Sequence, residues 1–276
     1  MRVFILGAGR VGRGLSGALG ASGVDVIGLH GRRAESGITA GPLPTRADSA
    51  DVIIVTVRDA QLDGALREIR DGVTTHAVVL HASGSASPSA LDELRRRGHP
   101  AGTFHPLVPI AEPMHAAERL RGAWIGIDGD PAALAASRAI AASLGASTLE
   151  IPNGEKARYH AAAVLASNFP AVLAGIAAEL MRDAGIAPAD ARSAVTALLR
   201  ASVANLHDGT PAAVLTGPIV RGDVETIRAH LAALGDDQGV LAVYRALSAA
   251  AVRLLADDPS ADRTRLAAID EALRAP

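Results

Sequence analysis

The sequence predicts an α/β chain: a doubly wound parallel sheet followed by an all-helical domain. Val3-Phe4-Ile5-Leu6 runs directly into Gly7-Ala8-Gly9-Arg10-Val11-Gly12, and Leu15, Ala18 and Leu19 then recur at helical spacing. That is strand, glycine turn, helix. Short apolar runs then alternate with helical patterns as far as Ile151, as parallel sheets require. Beyond Pro152-Asn153-Gly154 only helical patterns remain, so the division is expected between 1–152 and 153–276. A chain of 276 residues is long enough for two ordinary domains.

The first strand is an unbroken apolar run, as expected for burial on both faces. In its strand–turn–helix setting the G-x-G-x-x-G pattern reads as a dinucleotide site over Gly7, Ala8, Gly9, Arg10, Val11 and Gly12. Gly7 permits the tight turn, Gly9 lets backbone approach a pyrophosphate, and Gly12 lets helix and strand pack closely. The helix N-terminus offers N–H groups and partial positive charge to phosphates. A glycine turn without a ligand is the plainer alternative, and the intact context counts against it.

Val24 to Leu29 is the second strand, and it ends in His30-Gly31-Arg32-Arg33 with no carboxylate before Glu35. An NAD site usually places an acidic residue there, about 20 residues past the glycines. Arg32 and Arg33 instead suit the 2′-phosphate of NADP(H) through bidentate, charge-assisted bonds. Two loop arginines are also compatible with simple solvation, but their position favours the phosphate.

Further strands are expected at Asp51 to Val57, His76 to His81, Thr103 to His105, Ala123 to Asp128 and Ser147 to Ile151. A helix runs through Leu62, Ala65, Leu66 and Ile69, and another from Pro131 to Leu144, with Pro131 where its missing N–H does no harm. Ligands of such sheets sit at the carboxyl ends of the strands. Thr56, Val57, Arg58 and Asp59, with the loops at 82–88 and 105–113, therefore face the reactive end of the dinucleotide. The helical half reads as Glu155 to Ala184, Ala189 to Leu206, Val224 to Leu234, Gln238 to Leu255 and Ala261 to Arg274. Pro170 removes a backbone bond inside the first of these and is expected to kink it.

Composition excludes several functions. Hydrophobic residues are 49% and charged residues 20%, which suits a packed core rather than disorder. Aromatics at 2% and a net charge of −2 leave neither stacking platforms nor a basic surface for nucleic acid or anionic membrane. With no cysteine, disulfides, thiolate catalysis and zinc–sulfur sites are ruled out. The nine histidines show no zincin-type spacing, so no metal site is expected. The chain opens on a strand and lacks an uninterrupted apolar run of roughly 20 residues. A cytoplasmic protein is expected.

Three stretches can carry chemistry. Lys156 and His160 are four apart and share a helix face, while Asn168 lies further round. Neighbouring lysine and histidine depress each other's pKa, which suits proton transfer near neutrality; a solvated first turn is the plainer account. Ser83, Gly84 and Ser85 end one strand, where backbone N–H groups can bind a carboxylate, and His105 ends the next. Arg221, in a glycine-bounded turn, can clamp a carboxylate, whereas Asp223 reads first as a helix N-cap.

Taken together, GAGRVG, HASGS, FHPL, EKARYHAAAVLASNF and LTGPIVRGDVETIRAHL resemble a family of Rossmann-like NADP-dependent oxidoreductases. The C-terminal helical domain of that family has no assigned function. More distantly the chain is similar to ketopantoate reductase, pyrroline-carboxylate reductase and the 6-phosphogluconate and β-hydroxyacid dehydrogenases. Those enzymes carry a catalytic lysine near the start of the first interdomain helix and an asparagine about a turn later. The resemblance implies that role for Lys156. His160 stands where the asparagine is expected, and Asn168 is the nearby amide. Ser83-Gly84 looks like the substrate loop of the β-hydroxyacid enzymes, and Thr216, Asp223 and Glu225 are loose counterparts of ketopantoate reductase residues. The expected activity is NADPH-dependent reduction of a small 2-oxo acid or related carbonyl, ketopantoate being the most specific guess. A non-catalytic NADP(H) sensor and an imine reductase are the alternatives. By analogy a homodimer is expected, with small faces such as Ala161, Ala162 and Ala166 allowing close helix approach.

Overall fold

The computed structural model describes residues 1–207, 209–259 and 261–274. They divide into two compact units, Met1–Phe169 and Pro170–Pro276.

In the first unit, β1 (Arg2–Leu6), α1 (Arg10–Ala21), β2 (Asp25–His30) and a two-residue β3 (Ile38–Thr39) come first. They are followed by β4 (Val52–Val55), α2 (Asp59–Gly72), β5 (Val78–His81), α3 (Asp92–Arg96), β6 (Ala101–Pro106), α4 (Ala116–Leu120), β7 (Trp124–Gly129), α5 (Pro131–Ser143) and β8 (Ser147–Glu150). The strands form one sheet in the order β3-β2-β1-β4-β5-β6-β7-β8. Alternate residues face opposite layers. Val3, Ile5, Val52 and Ile54 pack with Leu15 and Leu19 of α1 and Ile140 of α5. Phe4, Leu6, Ile53 and Val55 pack with Leu62, Leu66 and Ile69 of α2. Both faces are covered, and each such side chain contributes about 1.5–3 kcal/mol by leaving water. The helices that follow β1 and β4 lie on opposite faces, so a crevice opens between those strands at their carboxyl ends.

The all-parallel expectation needs one correction: β7 runs antiparallel to β6. Its cause lies in the connection, whose helix α4 has five residues and is only about 7.5 Å long. The connection thus holds no crossover helix as long as a strand of roughly 20 Å, and the chain re-enters the sheet from the end it left.

Helix α6 (Lys156–Asp183) joins the units; Pro170 lies inside it, and the division falls immediately before that proline. The second unit continues with α7 (Pro188–Asn205), two single turns, α8 (Pro211–Val214) and α9 (Pro218–Arg221), then α10 (Val224–Ala233), α11 (Gln238–Ala256) and α12 (Arg263–Arg274). Ile227, Ile269, Ala272 and Leu273 form its buried centre. By length and composition α6 and α11 are apolar enough to cross a membrane, although neither is an uninterrupted apolar run. Scattered Ser, Asn and Arg residues interrupt these stretches without making them polar. Within α6 only Lys156 is buried.

Candidate active site

One row of the sheet organises the first unit. His30, Leu6, Val55, His81, Thr103 and Asp128 are successive partners across β2, β1, β4, β5, β6 and β7. At about 4.8 Å per strand the row spans roughly 24 Å. Its first half borders a glycine cradle and its second half carries a buried polar cluster.

In the cradle, Gly7 has φ +123°, a region that favours glycine. Its N–H donates to the His30 carbonyl at 2.8 Å, and its own carbonyl accepts from Thr56 Oγ1 at 2.7 Å. A Cβ at Gly12 would overlap Gly7 O and Thr56 Oγ1, whereas one at Gly9 would meet open space. No side chain caps the N-terminus of α1, which leaves its first N–H groups for an anion. A cavity of about 1140 Å³ is lined by Gly7, Ala8, Gly9, Arg32, Arg33, Thr56 and Val57, with Arg13, His30 and Glu35 on the same rim. The other residues expected there do not line it: Arg10 is exposed, Gly12 is buried, and Val11 packs against the core. Arg32 and Arg33 have no ion-pair partner among the described residues. These features fit a phosphorylated dinucleotide.

His30 is only 3% exposed, with Nδ1 2.9 Å from Thr39 Oγ1 and Nε2 3.1 Å from the Gly41 carbonyl. A carbonyl only accepts, so Nε2 donates to Gly41, while the Thr39 hydroxyl lies between Nδ1 and the Leu29 carbonyl, 3.4 Å away.

The polar cluster centres on Lys156, the first residue of α6 and 5% exposed. Its ammonium donates to Thr103 Oγ1 and lies 3.3 Å from Asp128 Oδ2. Burial lowers the Lys156 pKa and Asp128 opposes that shift. Thr103 Oγ1 is also 3.4 Å from Nε2 of His81. Burial, with Lys156 nearby, pushes the His81 pKa down to about 3, and this ring is neutral. Lys156, Tyr159 and His160 sit at i, i+3 and i+4, one face of α6. Tyr159 OH and His105 Nδ1 are 2.8 Å apart, and His105 meets the His160 ring edge to face at 5.7 Å. Burial first, then His160 and Lys156, lowers the His105 pKa to about 4. Burial raises Tyr159, with Asp128 adding to the effect, so the phenol keeps its proton. Two buried ring nitrogens, His81 Nδ1 and His160 Nδ1, have no hydrogen-bond partner among the described residues.

The loop after β5 closes on this cluster. A Cβ at Gly84 would overlap His160 Nδ1 and the His105 ring, so only glycine allows the approach. Ser83 Oγ accepts from the N–H groups of Ser85 and Ala86 at 3.2 and 3.0 Å. Ser85 Oγ donates to Asp59 Oδ2 at 2.6 Å. The N–H groups of Ser83 and Gly84 donate to no acceptor among the described residues.

Of the residues expected to act, the fold thus brings together Lys156, His160, His105, Ser83, Gly84 and Ser85. Asn168 stands apart: it is exposed, and twelve residues along α6 is roughly 18 Å. Arg221 and Asp223 belong to the second unit. Arg221 is exposed. Asp223 caps α10, accepting from Thr226 N at 3.1 Å and Thr226 Oγ1 at 2.7 Å, which accounts for it by local structure. Sequence reasoning placed Asp59 only as the end of the loop after β4, and it missed the parts played by Asp128, Thr103 and Tyr159. A carboxylate closing the apolar run Trp124-Ile125-Gly126-Ile127 was the available signal for Asp128.

Solved structures share the fold. Protein TM1727 of Thermotoga maritima is 23% identical with a TM-score of 0.73, covering 93% of this chain and 99% of its own. Protein BF3122 of Bacteroides fragilis, provisionally an NADP oxidoreductase, is 22% identical with a TM-score of 0.70 over 91% of this chain and 97% of its own. The pyrroline carboxylate reductase of Plasmodium falciparum, solved with NADP bound, is 12% identical with a TM-score of 0.64 over 93% and 97%. No curated protein matches the chain. Residues 123–251, which include Asp128, Lys156, Tyr159 and His160, match the family model of a domain of unknown function, DUF2520.

Proposed function

We propose that this chain is an NADPH-dependent reductase of a small carbonyl compound or imine. The observation that carries it is the sheet row, which joins a dinucleotide cradle at His30, Leu6 and Val55 to a buried lysine cluster at His81, Thr103 and Asp128. When bound, NADPH would supply a hydride. The chain's own residues then have to place and protonate the acceptor. Lys156 is the cationic acid of the cluster, and its ammonium can polarise or protonate a carbonyl oxygen or imine nitrogen. His105 and His81 remain neutral at physiological pH; with Tyr159 donating to His105 Nδ1, the opposite nitrogen is a donor. The free N–H groups of Ser83 and Gly84 suit a substrate carboxylate. A 2-oxo acid of the ketopantoate type is the most specific carbonyl reading. A cyclic imine is the second, favoured by fold neighbours described as a pyrroline carboxylate reductase and an imine reductase.

The test is titration with both dinucleotides, then turnover with a panel of 2-oxo acids and cyclic imines. NADPH is expected to bind at least tenfold more tightly than NADH, about 1.4 kcal/mol. The Arg32→Ala, Arg33→Ala double variant should narrow that gap. Equal affinities would reject the cofactor assignment, and tight binding without turnover would favour a redox sensor.

Exposed apolar side chains on α6 and α7 bear on the assembly. Leu165, Phe169 and Val172 on the former, and Leu198 and Val203 on the latter, are 47–64% exposed. Ala161, Ala162 and Ala166 of α6 are exposed as well. We propose a second copy of the chain as their cover, since a two-fold interface needs only one kind of surface. Light scattering at micromolar concentration should give twice the 28.0 kDa chain mass; a monomer mass rejects the homodimer.

A further inference from the structure

We infer that Arg13 sets the cofactor selectivity of the cradle by holding Glu35 away from Arg32 and Arg33; this deepens the NADPH reading and rests on it. The rim carries these three arginines and, in the loop that supplies two of them, one carboxylate. Glu35 is the first acid after β2, the place where NAD-binding sheets use a carboxylate to accept from ribose hydroxyls. Its backbone is fixed, because its N–H and C=O both bond to Ile38, at 3.2 and 2.9 Å. Only its side chain is left to choose a partner, and Arg33 and Arg32 are two and three residues away. A carboxylate on either guanidinium would occupy donors that a 2′-phosphate needs.

The structure pairs Glu35 with Arg13 instead, Oε2 to Nη2 at 2.8 Å. Arg13 is itself anchored, since its Nε donates to the carbonyl of Ala8 in the glycine loop at 2.9 Å. The guanidinium is thus tied at one edge to the phosphate loop and at another to the acid. Meanwhile Arg32 and Arg33 have no ion pair among the described residues. His30, the residue that ends β2, cannot replace the acid, because Thr39 and Gly41 engage both its ring nitrogens. Glu35 is therefore an NAD-type acid kept out of use, and Arg13 is the positioning residue that keeps it so. The pair is solvent-accessible, with side chains 38% and 49% exposed. Such pairs add little to folding, so the consequence should appear in binding rather than stability.

The experiment is fluorescence titration of NADPH and NADH against wild type, Arg13→Ala, Glu35→Gln and the double variant, with thermal melts alongside. Arg13→Ala should narrow the NADPH-over-NADH ratio by about five- to tenfold, the scale of a lost charge-assisted bond. Glu35→Gln alone should keep the ratio, and adding it to Arg13→Ala should restore it, with melting temperatures little changed. Equal weakening of both dinucleotides by Arg13→Ala, or no recovery in the double variant, overturns the inference and makes Arg13 a general phosphate-loop residue. If wild type binds neither dinucleotide, or both equally, the cofactor reading beneath it has failed instead.

Discussion

Lys156→Ala is expected to lower kcat and kcat/KM together, by about 10²–10⁴-fold. The lysine's interaction with an oxygen or nitrogen that gains charge is made in the transition state, so substrate binding alone should not report it. NADPH affinity should hold, because on the proposed reading the dinucleotide would rest on Gly7, Gly9 and the Arg32–Arg33 loop, at the other end of the sheet row. Steady-state kinetics and cofactor titration on the same preparation check this. Near wild-type turnover would make Lys156 a structural cation and remove the site from the cluster.

Asp128→Asn should cost folding as well as activity. Lys156 and Asp128 are 3.3 Å apart with side chains only 6% and 14% exposed. Removing one charge of such a pair leaves the other buried, at about 3–5 kcal/mol, or a Tm lower by roughly 5–9 °C for a chain of this size. The pH dependence has a definite sign. Burial already places the folded Lys156 pKa below its ordinary value of 10.5, so the folded chain binds fewer protons than the unfolded chain between those two values. Stability from this group therefore rises with pH across that window and is absent below it. Without Asp128 the pKa falls further, so the window extends to lower pH and the alkaline limb of activity moves down with it. Replacing both residues, Lys156→Met with Asp128→Leu, should restore most of the melting temperature and none of the turnover. Calorimetry and a pH–rate profile measure both arms. An unchanged profile in Asp128→Asn would show that this carboxylate does not tune the lysine.

What the sequence revealed, and what it hid, follows from the range of each interaction. The cradle was legible because Gly7, Gly9 and Gly12 act through their own backbone within one strand–turn–helix unit. The helical half was legible because its glycine and proline breaks fall between periodic stretches. The direction of β7 was not, since it depends on α4 being too short to cross the sheet. The partners of Lys156 were hidden too: Thr103 lies 53 residues away, on a strand whose register only the folded sheet defines. Arg13 and Glu35 lie 22 residues apart, and their pairing depends on the turn that bonds Glu35 to Ile38, which no local pattern reports.

The sheet row also has a consequence for biosynthesis. The cradle and its rim are assembled from residues between Leu6 and Glu68, a stretch that leaves the ribosome first. Lys156 emerges later, roughly 5–20 seconds later at ordinary elongation rates. Cofactor-binding geometry is thus encoded in contacts of short sequence separation, whereas the reactive cluster waits for β6, the reversed strand β7 and the start of α6. The order of synthesis puts the dinucleotide site before the chemistry.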